Sequence, residues 1–267
     1  MKFGSKELNE VLRTYLFAQT SILKNVVKKR INNKSDKIKV LLASSCNTAT
    51  AICLLGNENE YFYNEMIILS RGYIEKLINY CYLTVCDEKE YQNYIKHSIQ
   101  KSYRKLDRSI KVGNHKISVS YSGKEAIKTD RILEALNEFT SQHGKEITHW
   151  TKMSIEERLN VISEKTKINI GIFMLNTLSI YEDASESLHG TLYGASFHTW
   201  KYQPNIKSLE DINKNTFKNS SLLFLQLGSM INEIIAHIGT FIELNDFVSP
   251  SIKNTLNATE LLKKGMS

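Results

Sequence analysis

The chain predicts an all-α fold, a multi-helix bundle of roughly seven to nine helices with at most one short β-like segment near 115–122. Three observations predict it. Pro204 and Pro250 are the only prolines in 267 residues and glycine occurs 12 times, so long stretches hold no helix breaker. Apolar residues recur three and four apart through most of those stretches. Cap-forming residues stand at their ends. The length suffices for a single helical domain with a sizeable core, in which a basic hairpin at 1–56 packs on a bundle formed by 57–267.

The first helix is predicted from Ser5 to Arg30, with Asn32 and Asn33 as its stop, and the second from an N-cap at Ser35 to Gly56. The short polar turn between them makes an antiparallel hairpin. Helix three, about 60–85, is the most apolar early segment, carrying Met66, Ile67, Tyr73, Ile74, Leu77 and Ile78, and belongs at the centre. Asp87 caps a fourth helix that begins acidic and runs on, basic, through Arg104 and Arg108 to Lys111 before Gly113 and Asn114, as the helix dipole favours. Residues 115–122 alternate and form the β-like segment. A helix over about 123–142 stops at Gly144, and Ser154 with Glu157 makes a capping box for a short one. An apolar helix at 168–189 follows, then a loop with Gly194, Phe197, Trp200 and Pro204. The last predicted helix, about 216–244, carries Leu227, Ile231, Ile234, Ile238 and Phe241 as one stripe.

The net charge of +7 is concentrated at one end, where residues 1–40 hold ten Lys or Arg against Glu7, Glu10 and Asp36. Lys24 and Lys28, one turn apart, are the sharpest candidates for contact with a polyanion such as RNA, although a basic helix C-terminus also serves the dipole. Cys46, Cys53, Cys81 and Cys86 lie on apolar segments without metal-site clustering and read as reduced core thiols. No stretch approaches the roughly 18 apolar residues of a membrane span, and the N-terminus carries no apolar signal region, so a cytoplasmic protein without membrane contact is expected.

Candidate chemistry centres on two segments. On helix three, Arg71 and Glu75 stand one turn apart with Asn64 on the same face; they form a structural ion pair, or Glu75 orients Arg71 to hold a phosphate. At the end of the 168–189 helix, helical spacing gives His189 a common, inward face with Leu175, Leu178, Glu182 and Ser185. His189 is then either a satisfied core-edge histidine or a general base. Arg108 and His115 form another Arg-to-His spacing. Glu146 with His149 and Glu186 with His189 repeat the Glu-x-x-His spacing of di-iron bundles, with Glu75 and Glu164 as further ligands in that reading. Glu233 and His237 form a polar pair one turn apart, and Tyr193, Phe197, Trp200 and Tyr202 cluster after His189. Phosphate-loop, dinucleotide, zinc-protease and nucleophile-elbow motifs are absent.

The segments Ser70-Arg71-x-x-x-Glu75 and Tyr181-x-x-x-Ser185-x-x-x-His189-Gly190, with Trp150 and the Ser154 to Arg158 helix between them, resemble a bacterial all-helical family of unassigned function, HEPN-like and associated with toxin and phage-defence systems. The resemblance covers about residues 60–200. It implies a protein that binds or cleaves RNA without metal or cofactor, with Arg71, Glu75 and His189 catalytic and Tyr181 and Ser185 assisting. The HEPN signature places Arg four to six residues before His, whereas Glu182, Asp183, Ala184 and Ser185 precede His189, so Arg71 would supply the cation from another helix. RNA, a protein encoded nearby and a second copy of the chain are the implied partners. A non-enzymatic helical interaction or sensor module is the alternative.

Overall fold

The computed structural model describes residues 1–191, 193–194 and 208–267, with residues 58–61 described by their backbone alone. The fold is all-α with one short two-stranded ribbon. The chain divides into two compact units, Met1–Val85 with Ile155–Ser267, and Cys86–Ser154.

The first unit opens with α1 (Lys6–Val27), whose Ser5 cap accepts from the Leu8 N–H at 3.3 Å. Helix α2 (Asn33–Leu55) follows. Its N-cap is Asn32 and not Ser35: the Asn32 side chain accepts from the Ser35 N–H at 2.8 Å, so a residue taken as a stop for one helix starts the next. Helix α3 (Asn59–Val85) bends at Phe62.

In the second unit α4 (Glu88–Arg104) starts on its predicted Asp87 cap, with the Glu90 N–H donating at 2.8 Å. It ends seven residues before Lys111, because β1 (Asp107–Val112) begins where helix was expected. Strand β1 pairs antiparallel with β2 (His115–Ser120), Ile110 opposite Ile117, around a two-residue turn in which Gly113 takes φ 57°. Ile110 and Val112, β-branched and alternating with Ser109 and Lys111, carry the two-residue period of a strand. Helix α5 (Asp130–Glu138) is shorter than predicted, and a 3₁₀ turn, Glu125–Ile127, precedes it. The unit buries Tyr91, Tyr103, Ala135 and Phe139, and Lys96 between Glu134 and Glu138, Lys101 on Glu146 and Arg104 on Thr140 join its elements at the surface.

The chain then returns to the first unit through α6 (Ile155–Lys165), α7 (Ile170–Asn176), a π turn (Thr177–Tyr181) and α8 (Glu182–Leu188). Helix α9 (Leu209–Ile238) starts on a reciprocal capping box between Ser208 and Asp211. Past its end, Phe241 leaves the predicted stripe and turns its ring edge-on to His237. Helix α10 (Asn245–Met266) closes the chain beyond the last predicted element.

Helix α3 packs against α2, α6, α8 and α9, which makes it the central element of its unit, and α1 lies on α9, α2 and α10. Tyr73, Ile74, Leu77 and Ile78 of α3 and Leu227, Ile231 and Ile234 of α9 are fully buried. Gly228 leaves the space occupied by the Tyr15 ring, and the Tyr15 hydroxyl meets Thr255 Oγ1 at 2.9 Å. Against the sequence expectation, α2 and α9 are long and apolar enough to cross a bilayer by length and composition; 39% and 61% of their most apolar windows are buried inside the protein.

Candidate functional site

Helices α3 and α8 run antiparallel, since Arg71 of α3 meets Tyr181 at the start of α8 while Asn64, two turns earlier, accepts from Ser187 Oγ at 2.8 Å. The residues that α7, the π turn and α8 bury are Phe173, Asn176, Ile180, Ala184 and Ser187. The predicted inward stripe is therefore the wrong one: Leu175 is half-exposed and Leu178 is 72% exposed. The segment is apolar almost all round before Tyr181, so periodicity alone does not select its inner face. In the wide turn, Asn176 Nδ2 donates to the Ile172 carbonyl at 2.7 Å and Thr177 Oγ1 to that of Phe173 at 3.0 Å, supplying partners where the regular ladder is interrupted.

The inner face of α3 carries Asn64, Arg71, Glu75 and Asn79 at helical spacing, and each finds a partner other than its helix neighbour. The Arg71 guanidinium lies 4.6 Å from the Tyr181 ring centroid, and Nη2 donates to the phenol oxygen at 3.3 Å. Its Nη1 is buried without a hydrogen-bond partner. Arg71 and Glu75 form no ion pair with each other. Glu75 instead faces Arg158 of α6, which is only 6% exposed and whose Nη1 donates to Asn79 Oδ1. Burial lowers the pKa of Arg158, and the Glu75 charge is the largest influence opposing that, followed by Tyr181. Arg158 was not assigned a role from the sequence; the available signal was a cation sharing a helical face with the buried Ile162.

His189 sits at the exposed C-terminal end of α8, where its N–H donates to the Ser185 carbonyl at 3.0 Å. Ser185 Oγ donates to the Tyr181 carbonyl at 2.9 Å. Eight residues of helix separate Tyr181 from His189, about 12 Å of rise, so the structure does not bring the Arg71 guanidinium and the His189 imidazole to one atom. Lys24 Nζ donates to Thr50 at 3.0 Å across the α1–α2 pair, and Lys28 Nζ to Asn25 at 3.3 Å. Arg108 and His115 share one ribbon face but not one pair, since Arg108 stands opposite Val119 and His115 opposite Val112, four pairs along the register.

Glu233 accepts from the Asn169 N–H at the start of α7 at 2.8 Å, whereas His237 Nε2 meets Thr84 Oγ1 at 2.9 Å, so those two do not pair. Among the described residues no group of three or more His, Cys, Asp and Glu gathers as a metal site, and Glu146 is engaged by Lys101 at 2.8 Å. Phe197, Trp200 and Tyr202 lie outside the described residues.

On the outer side of Tyr181 a groove of ≈ 860 Å³ opens, floored by Met174, Leu175 and Leu178 and flanked by Glu156, Glu182, Asp183 and Glu186. Among the described residues no Lys or Arg lines it. Burial holds the Asp183 carboxyl above its ordinary range, opposed by the Tyr193 hydroxyl, which donates to it at 3.3 Å. Elsewhere in the same unit, Lys2, Lys6, Lys214, Lys218 and Lys264 surround a second cavity of ≈ 910 Å³.

A family model described as "Family of unknown function (DUF5677)" matches residues 36–207, a span that takes in α3, α6 and α8. No curated protein and no solved structure matches the chain.

Proposed function

The chain belongs to the family of unknown function DUF5677, and for it we propose the role of a helical protein-interaction module that takes a basic, apolar segment of a partner into the groove beside Tyr181. The carrying observation is the combination of exposed Met174, Leu175 and Leu178 with the acidic side chains of Glu182, Asp183 and Glu186 beside them. Open apolar surface of this kind favours cover, and an acidic rim beside it favours a cationic one. The polar cluster behind Tyr181 then serves to fix the groove wall. A cytoplasmic location is part of the proposal.

The test uses a fluorescent peptide alternating lysine with isoleucine, beside the same peptide with glutamate in place of lysine. Only the lysine peptide is expected to bind, and Leu178→Lys, at an exposed position, is expected to weaken it about tenfold or more. Equal binding of both peptides, or none by either, overturns the reading.

The five-lysine cavity favours a second reading, the HEPN-like one: a bacterial defence or toxin-type protein that binds or cleaves RNA. Binding of single-stranded RNA is expected to fall steeply with salt and further in Lys214→Glu with Lys218→Glu. Cleavage is expected to leave 2′,3′-cyclic phosphate ends in the presence of chelator and to disappear in folded His189→Ala. It requires Arg71 and His189 to close the helix-length gap between them. Salt-insensitive binding with no cleavage would remove this reading.

A further inference from the structure

We infer that the five-lysine cavity formed by the start of α1, the N-terminal part of α9 and the end of α10 binds a compact polyphosphate, a ligand with three or more phosphoryl groups in a row. The inference rests on the anion reading of that cavity given above and names a ligand smaller than an RNA strand. It does not depend on cleavage.

The cavity lies within one unit and is built around a turn. The Ser5 N–H donates to the Lys2 carbonyl at 3.0 Å, and Gly4 stands where such a turn favours positive φ, at 90°. The Phe3 N–H donates to the Gly265 carbonyl at 2.7 Å, which fastens the turn to the end of α10. A Cβ at Gly4 would stand 2.9 Å from Lys218 Cγ and 3.2 Å from Lys214 Cγ, so the turn packs directly on the stems of two lysines one turn apart on α9. Lys218 Nζ lies over the Phe3 ring, 5.8 Å from its centroid. Lys2 and Lys6 enter from the two sides of the turn and Lys264 from α10.

Five lysines therefore line one hollow of ≈ 910 Å³ to which Glu210 brings the single acidic side chain. Among the described residues none of the five forms an ion pair or donates a side-chain hydrogen bond. Like charges gathered in this way repel one another, and a multiply charged anion relieves that repulsion. Each ammonium offers a mobile point charge with three donors, which suits a run of phosphoryl oxygens.

Acidic residues limit the patch on every helix that forms it. Glu7 and Glu10 follow Lys6 on α1, Asp211 precedes Lys214 on α9, and Glu260 lies one turn before Lys264 on α10. A strand of RNA needs a basic track that continues past the site. A compact ligand needs only the hollow, whose volume falls within the roughly 300–1,000 Å³ of small-molecule sites. Half-buried Phe217 adds an apolar wall against which the base of a nucleoside polyphosphate would stack.

Calorimetric titration of the full chain with tripolyphosphate, monophosphate, adenosine triphosphate and single-stranded RNA tests this. Tripolyphosphate is expected to bind one per chain at micromolar concentration, about tenfold or more tighter than monophosphate, and to weaken as salt rises. Lys214→Gln with Lys218→Gln is expected to weaken it about tenfold or more, and Gly4→Ala, which removes no charge, by roughly threefold through displaced lysine stems. Lys37→Gln with Lys253→Gln, two exposed lysines away from the cavity, is expected to leave binding unchanged. Tighter binding of adenosine triphosphate supports a nucleoside polyphosphate, and equal binding supports the phosphate chain alone. Indifference to both cavity variants, or an equal loss in the distant pair, overturns the inference. RNA that binds and is not displaced by tripolyphosphate overturns it too and leaves the RNA reading standing; binding by neither overturns both.

Discussion

Arg71 and Tyr181, 110 residues apart in sequence, are joined twice: the guanidinium lies over the ring at 4.6 Å, and Nη2 donates to the phenol oxygen at 3.3 Å. Tyr181→Phe keeps the ring and removes the acceptor, for an expected loss of about 1 kcal/mol, whereas Tyr181→Leu removes both and costs about 2 kcal/mol. Urea unfolding checks the order. Equal losses would show that the ring contributes nothing.

Glu75 and Arg158 form the second long-range relation. Glu75→Ala leaves a buried guanidinium with Asn79 but without its main opposing charge, and about 2 kcal/mol of stability should be lost. Adding Arg158→Met should recover most of it, because an apolar side chain needs no counter-charge there. Simple additivity in the double-mutant cycle would contradict the coupling.

His237 gives the protein a predicted acid sensitivity. Burial lowers its pKa to about 4, so the folded state binds fewer protons than the unfolded one between that value and the ordinary pKa near 6.5. Its contribution is complete above about pH 6.5 and is lost as pH falls toward 4, by about 3 kcal/mol at most. His237→Gln should flatten that part of a plot of urea midpoint against pH. An unchanged slope would assign the sensitivity to other groups.

Gly113 turns the ribbon at φ 57° with no neighbouring atom to obstruct a side chain, so Gly113→Ala tests backbone strain alone. The expected cost, about 1 kcal/mol, should quicken hydrogen exchange of the β1 and β2 amides by roughly fivefold. Unchanged exchange would mean that the turn does not depend on glycine.

Burial pushes the Cys46 thiol up to about 11 and the Cys53 thiol up to about 12. Near pH 8 about one Cys46 in a thousand is then thiolate, and labelling by a thiol reagent should be slow until urea unfolds the chain. Fast native labelling at either position would place that thiol outside the core.

The α4 cap and the central helix were legible because their signals are local. Asp87 caps where its sequence predicts, and the apolar run of α3 announces its burial. The polar face of α3 was legible too, but its partners were not, because Tyr181, Ser187 and Arg158 arrive from helices far along the chain. Strand β1 was hidden by the basic run that completes α4. Helix α10 gave little pattern, burying only Ser251, Ala258 and Leu262. The groove was misread as core for a definite reason: a helix apolar on several sides shows which residues avoid water in principle, not which ones succeed.

The turn at Thr177–Tyr181 holds one residue more than an ordinary α turn. It is therefore the place where the 170–188 helix can lose a residue and keep the sides before and after it in phase. A deletion elsewhere along that helix would swing every later side chain by roughly 100° and carry Ser187 away from Asn64. Spare backbone length is stored at the turn that presents Tyr181 to Arg71, so the loss of one residue is absorbed beside the groove and not spread through the packing.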